Sequence, residues 1–368
     1  ILSNLNLRTT TKAKIGFDWS ESTHSGNMPT MGMPNFSDDL IYRQTSFFAE
    51  LTEILQGGQR IVGGYRGGYF DAKDMRSSGS SDTSGQSRTE FTHSGFIRFE
   101  NQMSAIPNSK GYVGFGRSER FPDYWELISA RRDGAVGACM MCSNTHSSFQ
   151  STKTEKTYQL DIGIIHKSPK LDSSVSAFYN KIYDFVLIDG RSGYTSGSYA
   201  TPTARNVDAY TFGAEFDATY KLSNSVRTST GMSYVYGRNQ TDSLPLAQLA
   251  PFEGRIAVAY DDKTYTAGML LRLVASKTQF SLNQGNIAGK DIGASSGFAI
   301  FSVNAGYKPQ KRVKFALGVD NLFNKNYAEF ISRTGSGDST LAGLGYAQTT
   351  RVNEPGRFAW LKATIALD

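Results

Sequence analysis

Val207-Asp208-Ala209-Tyr210-Thr211-Phe212-Gly213-Ala214-Glu215-Phe216-Asp217-Ala218-Thr219-Tyr220-Lys221 is the stretch whose reading decides the fold. Tyr210, Phe212, Ala214, Phe216, Ala218 and Tyr220 fall on one face of an extended chain, and Thr211, Gly213, Glu215, Asp217, Thr219 and Lys221 on the other. An apolar face that ends in aromatics, opposite a charged face, is what a strand between lipid and water requires. The pattern recurs downstream. Tyr265, Ala267, Met269, Leu271 and Leu273 oppose Thr266, Gly268 and Arg272, and Val313, Phe315, Leu317 and Val319 oppose Lys314, Gly318 and Asp320.

A soluble sandwich alternates in the same way, so the connections must discriminate. About fourteen strands are expected, near 11–19, 41–53, 59–71, 89–101, 111–118, 155–166, 173–187, 205–220, 226–237, 250–261, 264–275, 297–307, 313–322 and 355–367. Tight turns at 56–59, 167–170, 222–225, 261–263 and 308–312 alternate with long polar loops at 20–40, 72–88, 119–154, 188–204, 238–249, 276–296 and 323–354. Short turns on one side and long loops on the other are the pattern of a transmembrane antiparallel β-barrel, whose long loops face outward. Closure has its own physical cause, since an open edge in lipid strands backbone groups at several kcal/mol each.

Composition agrees. Gly, Tyr and Phe are plentiful (37, 19 and 23 of 368 residues) while hydrophobic residues total 39%, which suits many half-apolar strands better than a thick soluble core. No run approaches eighteen apolar residues, which excludes a helical span and leaves a barrel open. The net charge of +6 is scattered, without the Lys/Arg runs that track a phosphate backbone, so nucleic acid is not an expected partner. No signal peptide is visible at Ile1.

Three segments carry a resemblance. Gly116-Arg117-Ser118-Glu119-Arg120-Phe121-Pro122-Asp123-Tyr124-Trp125-Glu126-Leu127, Gly318-Val319-Asp320-Asn321-Leu322-Phe323-Asn324-Lys325-Asn326-Tyr327, and Glu354-Pro355-Gly356-Arg357 resemble, in that order, a strand-to-loop segment, a late-barrel signature and the entry to the last strand of the TonB-dependent receptors. Asn283 to Gly293, with the strand Phe298 to Tyr307, is similar to the copper receptors among them. The resemblance implies an outer-membrane barrel of about twenty-two strands in a Gram-negative bacterium, with a plug in its lumen and the energy-coupling protein TonB as partner. On that expectation residues 1–368 are one domain, the C-terminal part of the barrel, with the plug absent. Barrels of this kind commonly finish on an aromatic residue, from which Asp368 departs.

Two soft-ligand clusters fall on expected outer loops. The first is His24, Met28, Met31 and Met33, and imidazole with thioethers in a Gly/Pro-rich loop suits a copper ion. The bland alternative is that these methionines fill gaps in loop packing. The second cluster is Cys139, Met140, Met141, Cys142 and His146. Its Cys-x-x-Cys pair is either a small disulfide-closed loop in an oxidising compartment or a soft-metal site, and zinc would need further ligands. His93 and His166 read as ordinary strand residues. Arg117, Arg120, Asp123 and Glu126 read as an ion network holding a loop base rather than a lining for a substrate path. Glu215, Asp217, Arg272 and Lys314 are expected as wet lumen charges.

No enzyme is expected, because none of the four histidines lies in a recognisable nucleophile motif. The expected function is transport, with copper captured by the outer loops and carried to the periplasm. A receptor for an iron-siderophore or another organic chelate, a passive porin-like channel and a surface adhesin are the alternatives.

Overall fold

The computed structural model describes residues 2–27, 36–76, 83–129, 148–190, 195–196, 199–200, 203–310, 312–334 and 350–366. It is nearly all β. Seven strands and a long eighth open the chain: β1 (Leu2–Asn6), β2 (Thr11–Asn27), β3 (Phe36–Ile54), β4 (Arg60–Asp74), β5 (Ser87–Gln102), β6 (Ser109–Arg120), β7 (Glu155–Lys167) and β8 (Leu171–Asp189). A two-strand ribbon of β9 (Thr195–Ser196) and β10 (Tyr199–Ala200) follows. Then come β11 (Thr203–Lys221), β12 (Val226–Asn239), the short β13 (Leu244–Pro245), β14 (Glu253–Asp261) and β15 (Tyr265–Val274). The small hairpin β16 (Gln284–Asn286) and β17 (Gly289–Lys290) precedes β18 (Phe298–Gln310), β19 (Val313–Asp320) and β20 (Phe358–Ile365).

Eighteen of these strands join one antiparallel sheet. It is a meander in which each long strand pairs with the next, from β1 on β2 to β19 on β20. All fourteen expected strands are present. The sequence reading missed β1, whose residues Ser3, Asn4 and Leu5 lie opposite Ile15, Lys14 and Ala13.

The two faces are chemically distinct. Phe17, Phe47, Tyr69, Ile97, Phe115, Leu160, Phe212, Ile256, Met269 and Leu317 all lie on one face and remain exposed, as a surface meant for lipid does. The opposite face carries ion pairs: Lys14 with Glu50, Arg66 with Asp18, and Glu100 with Arg98 and Lys110. Glu215 and Asp217 are exposed there as expected, whereas Arg272 is half-buried between Glu253 and Glu329.

Connections alternate as the sequence reading required. On one side the turns are short, spanning 7–10, 55–59, 103–108, 168–170, 222–225 and 262–264. In the second of these, Gly57 and Gly58 take φ of 74° and 79°, a left-handed backbone that glycine adopts at little cost. The long loops are shorter than expected because the strands run past the membrane. β3, β8 and β11 each have 19 residues, where roughly 9–11 cross a bilayer. This corrects one expectation: His24 is a strand residue of β2, paired with Leu40 of β3, rather than part of a loop starting at residue 20.

Candidate functional site

The long-loop end of the β2–β7 wall is built around a small apolar cluster of Leu40, Ala72, Phe121, Leu127 and Phe149. Phe121 stacks on Phe70 at 5.4 Å and packs against Tyr42 at 5.7 Å. This anchors the start of the β6–β7 connection, where Trp125–Ser129 forms one π-helical turn. Glu126 closes that turn by accepting from the Asp123 backbone N–H at 3.0 Å, while its own N–H donates to Asp123 at 3.1 Å. Arg120 donates two hydrogen bonds to Glu126, at 2.7 and 3.0 Å, and one to Glu155 at 3.0 Å. Burial pushes the Glu126 carboxyl above its ordinary range, against the pull of Arg120.

The charged patch read from sequence is therefore a loop-base network, with one correction. Arg117 belongs to the lipid-side face, where it donates to Glu119 at 2.5 Å and to the Tyr158 hydroxyl at 3.2 Å.

His24 stands on the lumen face of β2 at this base. Its ring stacks on Tyr124 with centroids 4.2 Å apart and planes 5° from parallel. The Tyr124 hydroxyl donates to Asp39 at 2.9 Å, and Trp125, 53% exposed, meets Tyr124 edge-on at 5.0 Å. Among the described residues, neither imidazole nitrogen of His24 has a hydrogen-bond partner. The contrast with its neighbours in kind is direct: Nδ1 of His93 is bonded to the Tyr65 hydroxyl at 2.7 Å, and Nδ1 of His166 to the Ser109 hydroxyl at 2.8 Å. These two are structural, as expected.

The stack joins β2 to the β6–β7 connection and so sets the bases of the two loops that carry the soft ligands beside one another. Met28, Met31, Met33, Cys139, Met140, Met141, Cys142 and His146 lie outside the described residues. Among the described residues no three His, Cys, Asp or Glu side chains converge as a metal site. Tyr124, Trp125 and Asp39 were given no role from sequence. The signal was present in the Pro122-Asp123-Tyr124-Trp125 turn, but its stacking partner is remote in the chain.

The β8–β18 end of the same rim is organised differently. The β15–β18 connection crosses to β8, where Gln284 and Gly285 pair with Asp189 and Ile188. A Cβ on Gly285 would sit 1.9 Å from the Gly289 carbonyl oxygen, so the β16–β17 hairpin demands glycine there. Arg205 of β11 bonds Asp189 at 2.8 Å and also Asp242, and the Gln284 amide donates to Asp189 at 2.9 Å. Asp291 accepts from the Gln248 and Ser281 backbone N–H groups at 2.9 and 2.8 Å. Burial raises the Asp242 carboxyl, but its bonds from Arg205 and Asn239 outweigh that and hold it below the usual carboxylate range. The Asn283 to Gly293 motif is thus a clasp that fixes a loop across the mouth.

Comparison with known proteins agrees with this architecture. Residues 2–322 match the family model of the TonB-dependent receptor-like β-barrel. The ferric enterobactin receptor of Pseudomonas aeruginosa is 22% identical over 377 residues, covering 96% of this chain and 48% of that protein. Among solved structures, the copper transporter OprC superposes with a TM-score of 0.84 at 33% identity, covering 97% of this chain and 54% of the other. The FrpB iron transporter from Neisseria meningitidis gives 0.67 at 16% identity, covering 99% and 54%, and shares the fold alone. The chain spans about half the length of these relatives.

Proposed function

The chain belongs to the TonB-dependent receptors, outer-membrane transport proteins of Gram-negative bacteria, and from that premise we propose that it takes up copper through a site at its outer mouth. One observation carries the reading: the His24 imidazole is held flat by Tyr124, keeps both nitrogens free of hydrogen bonds among the described residues, and precedes Met28, Met31 and Met33 by four, seven and nine residues in the chain. Imidazole and thioether together favour copper over hard cations. The loop of Cys139, Met140, Met141, Cys142 and His146, which starts from the Tyr124 side of the stack, supplies further soft ligands or a disulfide that shapes the mouth. Likeness to a copper transporter at 33% identity supports the assignment. Copper here is cargo, and no catalytic step is involved.

Residues 1–368 fit one domain, the barrel wall, with energy coupling through TonB acting on a plug in the full-length gene product. The test uses that full-length product in detergent. Wild type is expected to bind about one copper ion per chain, and a Met28→Leu, Met31→Leu, Met33→Leu variant to bind at least about tenfold more weakly, roughly 1.4 kcal/mol. Copper binding that survives unchanged in the variant moves the site away from this loop. Absence of copper binding in wild type favours a second reading, uptake of an iron-siderophore or other organic chelate. The exposed Trp125 edge beside Tyr124 is suited to such a ligand.

A further inference from the structure

The registers of β6, β7, β8, β11 and β12 align one outward row across the wall. Arg117 lies opposite Tyr158, Tyr158 opposite Lys181, Lys181 opposite Tyr210, and Tyr210 opposite Arg238. Cation and tyrosine therefore alternate along five adjacent strands. The next outward row toward the short-turn side reads Phe115, Leu160, Tyr179, Phe212 and Tyr236, opposite one another in the same registers. That lower row is lipid-facing: Phe115, Leu160, Tyr179 and Phe212 are 41–51% exposed. The cationic row thus sits where the apolar band ends on the long-loop side, at the level of outer-leaflet headgroups.

Among the described residues this charge is neutralised only in part. Arg117 is tied to Glu119, but among the described residues neither Lys181 nor Arg238 has a carboxylate within 4.0 Å. The Lys181 ammonium donates to the Gln240 side-chain oxygen and lies 4.9 Å from the centre of the Tyr183 ring, and the Arg238 guanidinium donates to the Ser243 carbonyl at 3.2 Å, so both cations are oriented by neutral partners. Lys156, one position further out and opposite Tyr183, adds a cation 3.7 Å from Asp184. Cations two strands apart stand roughly 9–10 Å from each other.

We propose that this row binds the headgroup of a phosphorylated lipid of the outer leaflet, with Lys181 and Arg238 contacting phosphate and Tyr158 and Tyr210 flanking it. The occupant follows from charge complementarity and position together: the site faces sideways into the membrane, so its partner is a lipid, and its excess charge is positive, so the headgroup is anionic.

Native mass spectrometry of the detergent-purified full-length receptor, titrated with phosphatidic acid and with phosphatidylcholine, measures this. Wild type is expected to retain phosphatidic acid preferentially. Each cation removed costs about fivefold in that preference, so K181A/R238A loses roughly twenty-five-fold. R238Q, which changes one exposed side chain only, keeps the test readable where the double variant does not fold. K314A, which removes a cation from the lumen face of β19, leaves the preference unchanged. Undiminished preference in K181A/R238A and R238Q, or an equal loss in K314A, overturns the proposal.

Discussion

The two ends of the rim hold their loops by opposite means. On the β8–β18 side, Asp189, Arg205, Asp242 and Gln284 engage one another, and the loop is clamped by a charged hydrogen-bond network in which the buried Gln284 Oε1 has no partner among the described residues. On the β2–β7 side an apolar cluster and the Arg120–Glu126 pair hold the loop base, and a stacked imidazole has both nitrogens unengaged among the described residues. Charged groups already bonded to one another have little capacity left for a ligand, whereas an oriented but unbonded imidazole has its whole capacity left. The clasp therefore reads as scaffold and the stack as the place where cargo is first held.

The largest expected effect lies in the scaffold. Replacing Arg205 by Ala removes the guanidinium that bonds both the Asp189 and the Asp242 carboxylates. The Asp189 side chain is 2% exposed, so breaking this buried ion pair costs about 3 kcal/mol. Hydrogen exchange at the Gly190 amide, which donates to the Asn283 carbonyl at 2.8 Å across this contact, reads it. Copper affinity should hardly change. Equal protection in wild type and variant would show that the clasp is held by backbone alone.

The stack should behave in reverse. His24→Phe keeps a flat ring against Tyr124 and removes only the nitrogens. Barrel stability should stay within about 0.5 kcal/mol, while copper affinity in the full-length receptor falls about tenfold, or roughly 1.4 kcal/mol. A variant that loses stability and copper together would make His24 a packing residue and erase the distinction between the two regions.

How much of this was legible in the sequence follows the same division. Every one of the fourteen expected strands was found, because a wall between lipid and water imposes period-two alternation wherever it crosses the bilayer. Above the bilayer both faces meet water and the alternation disappears. Ser20, Glu21, Ser22, Thr23 and His24 carry no apolar phase, and so the pattern assigns nearly the outer half of β2, from residue 20, to a loop. β1 was missed for a related reason: Leu2 and Leu5 are three apart, out of step with a strand. The soft-ligand clusters were visible as residue types. Their placement was not, because the His24–Tyr124 stack and the Gln284–Asp189 bond, the latter 95 residues apart in sequence, are tertiary pairings that no local pattern encodes.

The smallest expected effect concerns acid, and it separates the two regions once more. Asp242 has a folded pKa held below its ordinary value by Arg205 and Asn239, so the folded clasp binds its proton less readily than the unfolded loop does. The stabilisation is therefore fully present above the ordinary carboxylate value of about 3.9, and it is lost as pH falls through the depressed folded value. Protection of the Gly190 amide against exchange, corrected for intrinsic rates, should be flat from about pH 7 to pH 5 and decline only below about pH 4. In Arg205→Ala the main cause of the depression is gone, so the decline below about pH 4 should shrink or disappear. A loss of protection between pH 7 and pH 5 in wild type would assign the clasp to some group other than this carboxylate, and the contrast between an ion-paired and an open end of the rim would have to be redrawn around it.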